Sequence, residues 1–252
     1  MKKKFFVFFT TVLIFFNTLS GFAAGKFPVL MYHNVTTDKS LVANDDTLHI
    51  TPDTLEEHLI ALSDAGYTPV SFEEYYLYRM AGADLPENPI LITFDDGYSG
   101  NYDYAYPLLK KYNTKAVIFV ITSRMGARYT EFPHFSWDEA REMEDSGFVE
   151  IERHSYSHPD FSSLTYAETV LEMRLAKYQI ETNMNKKCRF FAYPYGKINP
   201  SSTLVAQKAG YSMVLVGREK SGDLSEENVF EIPRFTVRGT YSGDDLVELI
   251  SR

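Results

Sequence analysis

From Phe27 onward the sequence alternates short apolar runs with amphipathic stretches, and this alternation is the strongest constraint on what the chain can fold into. The runs from Val29 to Tyr32, Thr68 to Ser71, Ile90 to Phe94, Ala116 to Ile121, Val149 to Glu152, Arg189 to Ala192, Ser212 to Val216 and Phe230 to Val237 read as strands. The intervals read as helices, and several carry start signals. Thr51-Pro52, Ser136 with Glu139, Thr165 with Glu168, and Asn199-Pro200 each put a capping oxygen or a proline where the first amides of a helix lack partners. Gly66, Gly147 and Gly210 follow three of these helices, as a left-handed ending requires. Strands alternating with helices, with no linker or repeat between them, imply an α/β fold. The expected form is an irregular (β/α) barrel of seven to eight parallel strands, with a doubly wound open sheet as the competitor. Strands apolar on both faces do not separate the two. The polar residues favour the barrel: His33, Asp95, Asp96, His154, Tyr193 and Arg234 all stand at or just past the carboxyl end of a strand, and a barrel gathers those ends on one face.

Ahead of this pattern lie Met1-Lys2-Lys3-Lys4, an apolar run from Phe5 to Phe16, and the small-residue stretch Gly21-Phe22-Ala23-Ala24-Gly25. These are the parts of an export signal. The expected layout is a signal peptide over 1–23 and one domain over 27–252, in a protein that is secreted or associated with the cell envelope. An uncleaved signal would tether it to a membrane surface, although the run to about Leu19 is slightly short of the roughly 20 apolar residues that span a bilayer. The chain carries a net charge of −9, and loss of Lys2, Lys3 and Lys4 would take it to near −12. Such a surface argues against nucleic acid and suits a neutral or cationic polymer. The lone Cys188 forms no internal disulfide, so the stability must come from the core.

The chemistry concentrates in two places. Ile90-Leu91-Ile92-Thr93-Phe94-Asp95-Asp96-Gly97 is a buried-looking strand ending in adjacent carboxylates, which repel each other unless a positive charge sits beside them. An acidic Asp-Gly turn is the plainer interpretation. His154-Ser155-Tyr156-Ser157-His158 follows another strand directly, and its two imidazoles can turn toward one cation. Together with Asp96 they make a two-histidine, one-carboxylate site with open positions, the pattern of a catalytic metal. Zinc, cobalt, nickel and iron all suit such donors.

ITFDDG, then HSYSH, then FAYPYG resemble the first three motifs of the polysaccharide deacetylases, the NodB-homology group of carbohydrate esterase family 4, in order and spacing over nearly the whole chain after the signal. The resemblance implies a divalent metal, zinc foremost, held by Asp96, His154 and His158. It implies Asp95 as catalytic base, and a backbone amide at Tyr195 for the oxyanion. Hydrolysis of an acetamide needs an activated water, oxyanion stabilisation and a proton for the amine, which this set can supply. Two features depart from the commonest family pattern. No histidine follows His158, but Pro28-Val29-Leu30-Met31-Tyr32-His33 ends a strand in a histidine, as in the circularly permuted branch that includes poly-N-acetylglucosamine deacetylases. His33 is therefore the expected general acid. Ala192 stands where the family's third motif has an arginine that helps to hold the base. Arg234, after Ile232-Pro233, is the expected substitute, with Arg153 as the other choice or as a contact to an anionic substrate group. Tyr193, at its strand end, is expected to face the substrate.

Other residues read more plainly. His58 lies in a helix and is expected solvated or packed, His49 and His134 in loops, and Tyr75, Tyr76 and Tyr78 on a helix in core or rim. Aromatics in the loop 122–135 suit a groove wall. The expected function is removal of N-acetyl groups from an N-acetylglucosamine polymer such as poly-N-acetylglucosamine, peptidoglycan or chitin, with release of acetate. The competitors are an O-acetyl xylan esterase using the same site and an inactive carbohydrate-binding protein, the latter suggested by Ala192 and Arg153.

Overall fold

The computed structural model describes residues 27–42, 48–217 and 228–251; the expected signal over 1–23 lies outside them. The strands are β1 (Val29–Tyr32), β2 (Asn34–Val35), β3 (His49–Ile50), β4 (Thr68–Pro69), β5 (Pro89–Asp96), β6 (Ala116–Val120), β7 (Val149–Arg153), β8 (Phe190–Ala192), β9 (Met213–Leu215) and β10 (Phe235–Thr236). The helices are α1 (Lys39–Val42), α2 (Pro52–Asp64), α3 (Phe72–Ala81), α4 (Tyr106–Lys111), α5 (Trp137–Asp145), α6 (Tyr166–Met184), α7 (Pro200–Lys208) and α8 (Gly243–Ser251). Among the described residues no helix is long and apolar enough to cross a membrane.

The main sheet runs β10-β1-β5-β6-β7-β8-β9, with β4 beside the start of β5, and every pairing in it is parallel. The expected parallel α/β architecture is thus present. The sheet curls on itself: Ile232 bridges to Leu215 of β9, and Phe235, three residues on, pairs with Leu30 of β1. One short segment therefore meets both edges of the sheet. Phe230 to Val237 was expected as a continuous strand. Pro233 stands between the bridge and β10, and a residue with no N–H and a fixed φ interrupts the ladder. Thr68 to Ser71 is shortened as well, because Ser71 has become the cap of α3.

Capping fixes where the helices start. Thr51 caps α2, and Ser136 with Glu139, Thr165 with Glu168, and Asn199 with Ser202 form reciprocal capping pairs on α5, α6 and α7. Each such cap is worth about 1 kcal/mol. Gly66, Gly147 and Gly210 take the positive φ anticipated for the helix ends.

Alternation along the strands divides the core in two. Val29, Leu91, Val117, Phe119, Phe190, Ala192, Met213, Leu215 and Ile232 pack together in the concave interior of the curled sheet. Their neighbours Leu30, Ile92, Ile118 and Ile151 pack outward with Leu55, Leu59, Met143 and Ile180 of the helices. Continued past the interior residues, the same parity reaches His33, Asp95, His154 and Arg234 at the carboxyl ends. His58 belongs to the outer layer, buried between the Tyr32 hydroxyl (3.2 Å to Nδ1) and the Tyr241 carbonyl, to which Nε2–H donates at 2.8 Å.

Candidate active site

The carboxyl ends of the strands open onto a pocket of about 560 Å³ lined by, among others, His33, Asp95, Asp96, His154, His158 and Tyr195. Asp95 reaches it by strand parity. Asp96, one residue later, should face the opposite way, but its φ of 74° breaks the alternation and brings the second carboxylate round to the same side. Of the non-glycine residues with positive φ among those described, Asn88, Asn113 and Asn185 are asparagines, which tolerate it. The other four, Asp96, Ser155, His158 and Tyr195, all belong to this site. Backbone strain is concentrated where the candidate chemistry is.

Asp96, His154 and His158 bring three donor atoms within 4.8 Å of one another. Asp96 Oδ1 lies 3.2 Å from His158 Nε2 and 3.5 Å from His154 Nε2, and it is buried without a hydrogen bond of acceptable geometry. His154 Nδ1–H donates to the Ala192 carbonyl at 2.8 Å, which fixes the tautomer and leaves Nε2 with its lone pair toward the carboxylates. A pinned imidazole and an orphaned carboxylate oxygen fit a divalent cation. Burial holds the His154 imidazole down at about 4, against the pull of Asp95 and Asp96, so it is neutral as a ligand must be. Burial pushes Asp96 up, but His158 and His154 outweigh it and keep the carboxyl well below the usual range.

Arg234 grips Asp95. Its Nη1 donates to Oδ1 and its Nη2 to Oδ2, each at 2.7 Å, and Nη1 also reaches the Thr93 hydroxyl at 3.2 Å. Both side chains are buried. Burial raises Asp95, while the Arg234 guanidinium overcomes that and holds it ionised. His33 lines the same pocket with a buried, unpartnered Nδ1, and burial lowers its pKa against the pull of Asp95 and Asp96. Tyr195 lies on the wall with its ring edge-on to His158, at 4.6 Å between centroids. The turn it sits in needs glycine next: a Cβ on Gly196 would fall 2.0 Å from the Gly217 nitrogen.

Two expected site residues are elsewhere. Tyr193 has the outward parity of β8 and is buried among Phe161, Phe191 and Val214, outside the pocket lining. Arg153, also outward, bonds the Phe190 carbonyl and stacks over Tyr211 at 4.2 Å. It does not hold Asp95 and lies outside the pocket lining. Of the loop aromatics, Phe132 is covered by His49, whose ring stacks on it at 5.6 Å, and Tyr129 projects into solvent. Wall residues that were not singled out from the sequence include Tyr98, Leu48 and Arg238. For Tyr98 a signal existed, since it directly follows the glycine of ITFDDG.

Comparison with known proteins agrees with this geometry. A family model described as polysaccharide deacetylase matches residues 82–214. YxkH of Bacillus subtilis (strain 168), a protein provisionally named a polysaccharide deacetylase, is 31% identical over 218 residues, which cover 86% of this chain and 74% of that one. The poly-β-1,6-N-acetyl-D-glucosamine N-deacetylase of Staphylococcus aureus (strain MRSA252) is 28% identical over 192 residues, 73% of this chain and 64% of its own length. The fold is shared with the Streptococcus pyogenes deacetylase PplD, solved in complex with acetate, at a TM-score of 0.79 and 24% identity, covering 90% of this chain and 98% of that one. With more than half of the sequence inside the family model and a relative of this identity matched along most of both chains, the protein is an enzyme of the polysaccharide deacetylase family.

Proposed function

We propose that this protein is a metal-dependent hydrolase that removes N-acetyl groups from an N-acetylglucosamine polymer outside the cytoplasm and releases acetate. The observation that carries the reading is the meeting, in one pocket, of a free-facing donor triad with a separate, arginine-held carboxylate and a histidine. A protein that only bound glycans would have no need of the second carboxylate. The features that suggested an inactive protein lose their force: Arg234 occupies the role left open by Ala192, and Arg153 faces away from the site.

Asp96, His154 and His158 would hold the cation, which when bound lowers the pKa of a water and polarises the acetamide carbonyl. Asp95, ionised and outside the ligand set, takes a proton from the attacking water at a carboxylate oxygen as the carbon–oxygen bond forms. Arg234 keeps that carboxylate oriented and anionic. The backbone amide at Tyr195 would stabilise the oxygen on which negative charge grows. As the carbon–nitrogen bond breaks, His33 delivers its proton to the departing nitrogen, so that amine and acetate leave.

The staphylococcal relative is named for poly-β-1,6-N-acetyl-D-glucosamine, and this supports a glucosamine polymer as substrate. The apolar head that reads as an export signal supports a site of action at the cell envelope. The test is acetate released from poly-N-acetylglucosamine, chitooligosaccharides, peptidoglycan and acetylxylan, with and without added zinc or cobalt, and with Asp95→Asn alongside. Release from the N-acetyl polymers that needs metal and fails in the variant is expected. No release from any polymer at saturating metal would sink the reading.

A further inference from the structure

Two of the three donors in the proposed metal centre lie on one tight loop, 154–158, and its backbone is not at rest. Ser155 and His158 have φ of 73° and 66°, left-handed values that few residues other than glycine adopt. Something must hold it. On one side the amides that follow β6 take the loop's carbonyls: Thr122 N donates to Ser155 O at 3.2 Å and Ser123 N to Tyr156 O at 3.0 Å. Within the loop, His158 N donates to Ser155 Oγ at 2.9 Å. The Tyr156 and Ser157 amides are held from α6. Both donate to a single carboxylate oxygen, Glu172 Oε2, at 3.0 and 2.9 Å, and the Ser157 hydroxyl donates to Glu172 Oε1 at 2.6 Å.

We propose that Glu172, on the second turn of α6 and outside the pocket lining, is the positioning residue of the metal centre: its carboxylate clamps the loop in the strained form that aims His154 and His158 at one point. The inference rests on the metal-centre reading above. Among the described residues Glu172 forms no salt bridge, so its charge is directed at these three donors, and hydrogen bonds to an ionised acceptor are about twice as strong as neutral ones. Tyr156 is half-buried and Ser157 exposed, so water can solvate their amides once the carboxylate is gone. Loss of Glu172 therefore relaxes the loop without opening the core, and the ligands lose their alignment while remaining present. Partners of this kind behind metal ligands typically contribute about 10- to 100-fold in metal affinity.

The experiment titrates zinc into metal-free protein against a chromophoric chelator and measures thermal melting beside it, for the parent and four variants. Glu172→Ala should weaken zinc binding about 10- to 100-fold. Glu172→Gln should recover most of the loss, since an amide oxygen can still accept both backbone amides. Glu168→Ala removes the capping partner of Thr165 at the start of the same helix and does not touch the loop. It should lower the melting temperature and leave zinc affinity within twofold of the parent. Should Glu172→Ala fail to fold, Glu172→Asp withdraws the carboxylate by one methylene and serves in its place. Zinc affinity unchanged in Glu172→Ala, or lost equally in Glu168→Ala, overturns the clamp. His158→Ala separates the two readings. If it binds zinc like the parent, the metal centre itself is wrong; if it is impaired while Glu172→Ala is not, only the clamp is.

Discussion

Replacing Arg234 by methionine removes the guanidinium that pairs with Asp95 and leaves a carboxylate that is 2% exposed without that partner. The two N···O contacts of 2.7 Å put the charge centres roughly 4 Å apart, where unit charges at an effective dielectric constant near 20 attract by about 4 kcal/mol. Breaking a buried pair from one side commonly costs about 3 to 5 kcal/mol, because the other charge stays behind. Arg234→Met should therefore destabilise the metal-free protein by about 3 to 5 kcal/mol in urea unfolding. Asp95→Asn/Arg234→Met, with both charges gone, should recover most of that, and the double-mutant cycle should give a coupling energy of about 3 kcal/mol or more. Arg234→Lys keeps the charge but not the two parallel bonds and should fall between them. Acetate release should follow a different order. Asp95→Asn should lose about 100- to 10,000-fold in kcat even where its stability is good. A coupling energy below about 1 kcal/mol would refute the argument, since it would mean that water or a neighbouring group already compensates Asp95.

His33→Asn should slow release of acetate from an acetamide by about 100- to 10,000-fold and from an O-acetyl ester by much less, because an alkoxide leaves with less help than an amine; equal losses on the two substrates would remove His33 as the acid. Gly196→Ala forces a Cβ to 2.0 Å from the Gly217 nitrogen at a φ of 62°, so it should cost at least about 2 kcal/mol in thermal or urea unfolding and lower kcat by displacing Tyr195. A melting temperature like that of the parent would show that the backbone there moves freely. Acid should destabilise the metal-free fold through His58, which burial keeps neutral and whose pKa lies below the usual histidine value. Between that lowered pKa and about 6.5 the unfolded chain binds a proton that the native state does not, so stability falls as pH drops, by at most about 1.4 kcal/mol per unit. The slope of stability against pH over this window should flatten in His58→Gln; an unchanged slope would refute the assignment.

What the sequence could and could not disclose about this site follows from the geometry of strands. Strand ends are local, so the positions of His33, Asp95, His154 and Arg234 along the chain were readable from apolar runs and their abrupt polar endings. The side a residue faces was harder, because it depends on counting by twos from a reference that only the assembled sheet supplies. Tyr193 and Arg153 stand next to Ala192 and His154, one step out of phase, and they therefore lie in the outer layer although they share the strand ends. Asp96 is also one step out of phase, yet it reaches the pocket, because a φ of 74° reverses the count at that residue. Sequence motif anticipated that exception where periodicity could not. The replacement of the missing arginine was legible only as a choice between two residues, since Arg234 comes from the far end of the chain, and only the curl that brings 232–235 between β9 and β1 sets it beside Asp95. The same reasoning gives Ala192 a second meaning. Its side chain lost the family's guanidinium, but its carbonyl still orients His154, and a main-chain oxygen survives any substitution that leaves the strand in place. The position can therefore change residue type without loosening the donor triad, provided that a charge reaches Asp95 from another strand.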